Sequence, residues 1–251
     1  MVCHRDPYLA PCSIYCTVLY DLEAACKGLD LQLFADDTAV FKSGKDLIAV
    51  NDCLNKELSN LMNWTYANRL SLNMEKTISV CFTLTKIKKL LNIKILGKSL
   101  PQENENVEKL KYLGVILDRN LSWKPQISQL QQKVSQANGV LHQLRRFIPQ
   151  NSLKQVYDCL ISPQISYCAS IWGNKNLKEL ESLQKASLRA IMGSPRNSHT
   201  DPIFADLEIL KICDVVKQQH HTDGYNTFHG RLPKSMHEII FCTSTIHNHK
   251  T

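Results

Sequence analysis

What this sequence lacks narrows it quickly. No apolar run approaches the ~20 residues that a membrane-spanning helix needs; the longest, residues 14–20, is interrupted by Thr17. A membrane is therefore not an expected partner. Glycine and proline number only 9 each, which excludes collagen-like and low-complexity classes. Apolar residues make up 43% and charged residues 21%, which argues against disorder. The first residues, Met1-Val2-Cys3-His4-Arg5-Asp6, have neither the n-region nor the cleavage site of a secretory signal. There are 10 cysteines but no Cys-x-x-Cys pair. Free buried thiols and an intracellular setting, nucleus or cytoplasm rather than secreted, are the expectation. Cys242, His247 and His249 form a loose cluster; a closed zinc site wants four ligands, and a polar tail is the plain alternative.

What is present is a 251-residue chain, enough for one large core or two small ones. Its basic residues are unevenly placed. Residues 1–83 hold 7 basic and 10 acidic groups, residues 84–154 hold 13 and 4, and residues 155–251 hold 10 and 9. A basic stretch beside a mildly acidic one suits a surface that tracks a phosphate backbone next to a carboxylate site. A solvated lysine-rich hairpin and helix face would give the same counts.

The pattern along the chain predicts an α+β fold, helices on a largely antiparallel sheet. A helix is expected over 13–26. A hairpin follows, with β-runs over 31–35 and 38–41 and Asp36-Asp37 at its tip. Leu47, Val50, Leu54, Leu58, Leu61 and Met62 recur at helical spacing. Ile78, Val80, Phe82 and Leu84 alternate as in a strand, and further strands are read over 93–100 and 110–117. Pro125 then opens a helix with Ile127, Leu130, Val134, Leu141 and Leu144 on one stripe. Ser152 is read as the N-cap of the next helix, which Pro163 interrupts. A further helix carries Leu177 to Ile191, and another lies near 206–218.

Adjacent carboxylates on a regular strand point to opposite faces, so Asp36 and Asp37 converge only at a turn. Two carboxylates at a tight turn can hold a divalent ion that orients phosphate. An ordinary aspartate-rich turn is the alternative. The surrounding residues resemble a known family. Phe34-Ala35-Asp36-Asp37-Thr38 is similar to the Phe/Tyr-Ala-Asp-Asp core of reverse transcriptases. Trp64, Asn68, Leu70, Leu72, Asn73, Lys76 and Thr77 resemble the stretch that follows this core in non-LTR, LINE-type retrotransposons. Lys111-Tyr112-Leu113-Gly114-Val115 resembles the primer-grip turn, and Leu121-Ser122-Trp123 the entry to a thumb. Residues 160–168, Ile171-Trp172-Gly173 and then residues 183–196 are similar to the segment beyond the thumb in jockey-like elements. Each motif is weak; their order over about residues 8–235 is specific.

The resemblance implies a right-hand polymerase that copies RNA into DNA with two Mg²⁺ ions. Its partners would be an RNA template and a DNA primer, or their hybrid; it sets no oligomeric state. Asp36 and Asp37 would be metal ligands, and Lys76 would assist the leaving pyrophosphate, or else be a solvated lysine. Phe34 would abut the nucleotide, and Tyr112, Leu113 and Gly114 would hold the primer terminus. Lys124, Lys133, Arg145 and Arg146 would meet phosphate, or form an exposed helix face. The implied division is a partial palm over 1–118, a helical thumb over 119–172 and a connection region over 173–251. Tyr8-Leu9-Ala10-Pro11 resembles the tail of a template-contacting segment, with Cys3-His4-Arg5 where Pro-Gln-Gly is expected. The fingers and the strand with the remaining metal carboxylate are thus expected upstream of this sequence, leaving the fragment inactive. The alternative is a non-catalytic nucleic-acid-binding remnant that uses the basic 84–154 segment.

Overall fold

The computed structural model describes residues 21–22, 25–34, 37–82, 92–95, 98–99 and 109–232. It mixes helices with small two-stranded antiparallel pairings. The chain divides into two compact units, Met1–Leu110 with Asp118–Ser122, and Lys111–Leu117 with Trp123–Thr251. The helix expected over 13–26 lies almost wholly outside the described residues.

In the first unit, β1 (Asp30–Phe34) pairs antiparallel with β2 (Asp37–Phe41). Phe34 faces Asp37 across the ladder, so the two residues between the strands are Ala35 and Asp36. This corrects the expected tip: Asp37 is the first residue of β2, not a turn residue. α1 (Leu47–Ala67) follows, capped by Asp46 Oδ1, which accepts from Ile48 N at 2.9 Å. Leu58 and Leu61 of α1 pack with Leu22, Cys26, Ile93 and Ile95, and Leu31 and Val40 of the hairpin lie against this cluster. By alternation, Phe34, Asp37 and Ala39 belong to the opposite hairpin face. The short pair β3 (Lys94–Ile95) and β4 (Lys98–Ser99) is tied to α1 by Asn55. The Asn55 amide donates to Asn92 O at 2.9 Å and accepts from Lys94 N at 2.8 Å.

Three strand expectations change, the first over 93–100, whose described residues form the short antiparallel pair β3 and β4 and not one strand. Within 77–82 the backbone forms only an isolated bridge at Ser79, although the alternation is there. A strand needs a neighbour for its N–H and C=O groups, and alternation alone does not supply one. The segment 110–117 is not one strand but a hairpin, β5 (Lys109–Tyr112) and β6 (Val115–Asp118), turning at Leu113-Gly114.

The helical elements of the second unit are α2 (Lys124–Leu144), α3 (Gln150–Leu160), α4 (Ser162–Ser166), α5 (Ala169–Trp172), α6 (Lys178–Met192), α7 (Asp201–Asp206) and α8 (Ile212–Phe228). Pro163 sits in the first turn of α4, as its lack of an N–H allows. The residue before α3 is Pro149, not the expected Ser152. One cluster runs through these helices, with Val134, Leu141, Ile161, Trp172, Leu180, Leu188 and Ile212 fully buried. Its polar groups are closed. Gln184 donates to Tyr157 Oη and to Leu210 O, both at 2.9 Å, and accepts from Ile212 N at 3.1 Å. Asn138 donates to Leu183 O and accepts from Ser187 Oγ. Gln126 accepts from Ile116 N at 2.9 Å, which fixes β6 to the start of α2. A Cβ at Gly173 would sit 2.4 Å from Ala169 O and from Val216 Cγ2, so only glycine lets α8 pack there.

Candidate metal and nucleic-acid site

The first unit carries the carboxylate candidates. Asp36 lies outside the described residues. Asp37 opens β2 opposite Phe34, whose ring is 61% exposed. Among the described residues, Asp37 Oδ1 is buried with no hydrogen-bond partner. A buried carboxylate oxygen without a donor is costly unless a cation or donor faces it. Among the described residues, no three His, Cys, Asp or Glu side chains are grouped to hold an ion. These residues therefore fit one donor of a metal site, and by themselves do not fit a two-ion centre, which needs ions about 3.5–4 Å apart clamped by several ligands. The described cysteines, Cys26, Cys53, Cys81, Cys159, Cys168 and Cys213, are free thiols, and the Cys242, His247, His249 cluster lies outside the described residues.

Lys76 is exposed at the end of a turn that its own motif builds. Asn73 Oδ1 accepts from Glu75 N at 3.1 Å and Lys76 N at 3.3 Å, and Thr77 Oγ1 donates to Asn73 O at 2.7 Å. Thr77 is fully buried. The earlier part of the motif ends α1. Asn68 N and Nδ2 both donate to Trp64 O, while Arg69 N and Leu70 N donate to Tyr66 O and Thr65 O. That is a Schellman closure with Arg69 in the left-handed region at φ 53°. The spacing of Trp64, Asn68, Leu70, Asn73 and Thr77 thus has a local folding reason.

In the second unit, Tyr112 ends β5, and Leu113 and Gly114 form the turn with φ of 45° and 83°. Two positive φ values in a two-residue connection make the mirror-image turn that suits a twisted hairpin. Sequence reasoning missed its partner. Tyr167 Oη donates to Leu113 O at 2.6 Å across 54 residues.

The four phosphate candidates do not share one face. Lys124 and Lys133 are exposed on α2, nine residues apart and so about half a rotation from each other. Lys133 Nζ donates to Gln164 Oε1 at 2.9 Å. The outward face between them carries Ser128, Gln132, Ser135, Gln136, Gly139 and Gln143, all exposed and uncharged. Arg145 and Arg146 are exposed where α2 ends, beside Phe147 at 82% exposure. No described helix is long and apolar enough to cross a membrane.

The chain is similar to several curated proteins over most of its length. The chain is 30% identical over 192 residues to the RNA-directed DNA polymerase from mobile element jockey of Drosophila funebris, covering 74% of this chain and 20% of that protein. The jockey polymerase of Drosophila melanogaster is 26% identical over 217 residues, 81% of this chain and 22% of its own length. The probable RNA-directed DNA polymerase from transposon X-element of Drosophila melanogaster is 24% identical over 237 residues, 90% of this chain and 25% of its own. The chain thus spans about a fifth to a quarter of these curated relatives. No family model matches it, and no solved structure does.

Proposed function

This chain belongs to the RNA-directed DNA polymerases of non-LTR retrotransposons, and on that premise we propose that it is their palm-to-thumb portion, built to hold an RNA template and a DNA primer. The observation that carries the reading is the relationship to jockey polymerases over 74% of the chain. Residues 1–118 serve as the partial palm, 119–172 as the thumb and 173–251 as the connection region. These are functional labels laid over the two compact units.

In this reading Asp36 and Asp37 hold Mg²⁺, which when bound orients phosphate oxygens and neutralises charge. Asp37 is suited to it by an oxygen that no protein donor satisfies. Phe34, exposed opposite Asp37, abuts the nucleotide, and Lys76, exposed on the Asn73 turn, meets the leaving pyrophosphate. Tyr112, Leu113 and Gly114 present a rigid turn to the primer terminus. Arg145 and Arg146 meet phosphate at the end of α2, with Lys124 and Lys133 contributing from its two sides. A two-ion centre requires a further carboxylate, and nothing in the resemblance assigns one within these 251 residues, so this chain alone binds and does not polymerise.

The test uses the purified chain with an RNA template annealed to a recessed DNA primer. It should bind, weakening steeply between about 50 and 200 mM salt as counterions are released. Neutralising Arg145 and Arg146 together should weaken binding and flatten the salt dependence. Absence of binding, or binding indifferent to both changes, would overturn the reading. Primer extension in Mg²⁺ that Asp36→Asn abolishes would overturn its inactive part. A second reading is a non-catalytic nucleic-acid-binding remnant or domesticated module that uses the basic 84–154 segment, favoured by its 13 basic against 4 acidic groups. It predicts the same binding, and no extension even when the longer polymerase is restored.

A further inference from the structure

We infer that Tyr167 is the positioning residue of the Leu113-Gly114 turn and, through it, of a primer 3′ terminus. The inference rests on the proposal that this turn meets the primer.

The turn needs a restraint. Gly114 takes φ 83° without cost, but Leu113 at φ 45° occupies a region that side chains other than Asn, Asp and Gly disfavour. Tyr167 supplies the restraint in two ways. Its hydroxyl donates to Leu113 O at 2.6 Å. Its ring lies against the next residue, since a Cβ at Gly114 would meet Tyr167 Cε1 at 3.5 Å.

Tyr167 is itself anchored. It follows α4 in extended backbone, at φ −63° and ψ 115°, and Cys168 after it turns left-handed at φ 52°. Its carbonyl accepts from Nε1 of the fully buried Trp172 at 2.9 Å. From α8, Gln219 Nε2 donates to Ser166 O at 2.6 Å. The base of the tyrosine therefore belongs to the helical core while its tip holds an exposed turn. Tyr167 is 51% exposed, so burial does not explain an aromatic residue there. The bond to Leu113 does. Two separated stretches of the sequence, around Tyr112-Leu113-Gly114 and around Tyr167, become one device.

The test uses the 251-residue chain and two RNA–DNA hybrids, one with a recessed primer 3′ end and one blunt. Tyr167→Phe keeps the ring and deletes the donor. It should reduce the preference for the recessed end about fivefold, the scale of one hydrogen bond, leave blunt-end affinity unchanged, and speed amide exchange at residues 113–115. Leu113→Asn creates the Asn-Gly pair that best suits this turn. In that background Tyr167→Phe should change the preference little, a coupling that a purely structural tyrosine would not show. Unchanged amide exchange overturns the positioning role whatever the nucleic acid does. Equal losses for both hybrids overturn the link to the terminus. A wild-type chain that binds both hybrids equally refutes the primer-turn reading itself, while the exchange experiment still judges Tyr167.

Discussion

The two units are built to different standards. In the helical unit, one cluster of buried apolar residues runs from Ile127 to Val216, and its buried amides and hydroxyls find partners in one another. In the first unit, the described cluster has six buried members. The two described side-chain oxygens that are buried without a partner, Asp37 Oδ1 and Asn51 Oδ1, are both in that first unit. The residues for which the resemblance implies metal binding or catalysis, Asp36, Asp37 and Lys76, thus fall in the unit that holds both of these unpartnered oxygens. Those whose resemblance implied no chemistry, such as Trp172 and Gly173, are the ones that close the helical core. A family signature read along a chain mixes these two kinds of residue, and only burial and bonding separate them.

The comparison is broken most directly by treating one residue type alike in both units. Trp172 is fully buried and bonded; Trp64 is only partly buried against the smaller cluster. Trp172→Ala should cost about 4 kcal/mol, and Trp64→Ala about half as much, because less area and no enclosed cavity are involved. Urea unfolding of the two variants measures this. Equal costs would mean that the two cores are of similar quality.

A pH scan tests the same asymmetry with a smaller effect. Burial pushes the Tyr157 hydroxyl up from 10.0 to about 12, with the Gln184 hydrogen bond pulling the other way and Asp158 adding to the rise. Above pH 10 the unfolded chain releases this proton while the folded chain retains it. Stability is therefore fully present below pH 10 and is lost as pH rises toward 12, by on the order of 3 kcal/mol. Tyr157→Phe should start lower, having lost the bond to Gln184, yet remain flat through that window. If the wild-type midpoint does not fall between pH 10 and 12, the Tyr157 hydroxyl is not shielded from water by the helical core as described.

Gly173→Ala follows, at about 2 kcal/mol, because a backbone carbonyl cannot yield to a new Cβ as a long side chain can. Differential scanning calorimetry would show it. A neutral result would mean that α8 shifts freely, and that the helical core is looser than its burial implies.

Much of this was legible and some was not, for identifiable reasons. α1 and α2 show their apolar stripes plainly, because a helix repeats its buried face within a few residues. The strand expected around Val80 and the single strand expected over 110–117 rested on alternation, which records a face and not a pairing partner. The hairpin tip was placed one residue late, since Asp36 and Asp37 look equally like turn residues until the register pairs Phe34 with Asp37. Gln184 and Tyr167 were invisible as structural hubs. Their bonds reach 26 to 54 residues along the chain, and nothing local distinguishes a hub glutamine from a solvated one. For the site, the motifs drew attention to the hairpin and the turn, but spacing alone did not show that Lys124 and Lys133 lie about half a rotation apart on α2 with exposed Ser and Gln between them.

The smallest effect concerns how helices end. In the helical unit, α6 and α8 are followed by Gly193 at φ 65° and Gly230 at φ 66°, where the left-handed conformation is free of Cβ strain, whereas α7 is closed by Glu208 at φ 53°. In the first unit, the same closure after α1 is made by Arg69 at φ 53°. Arg69 is exposed, so nothing in its side chain's burial offsets the strain. Arg69→Gly should therefore stabilise the protein by about 0.5 kcal/mol, the relief of strain exceeding the added freedom of the unfolded chain, whereas Gly193→Ala should destabilise it by about 1 kcal/mol. Opposite signs in matched denaturation curves would sharpen the contrast between closures made by glycine and those made by a residue with a side chain. A loss of stability from Arg69→Gly would show instead that the arginine contributes a contact of its own to the folded chain.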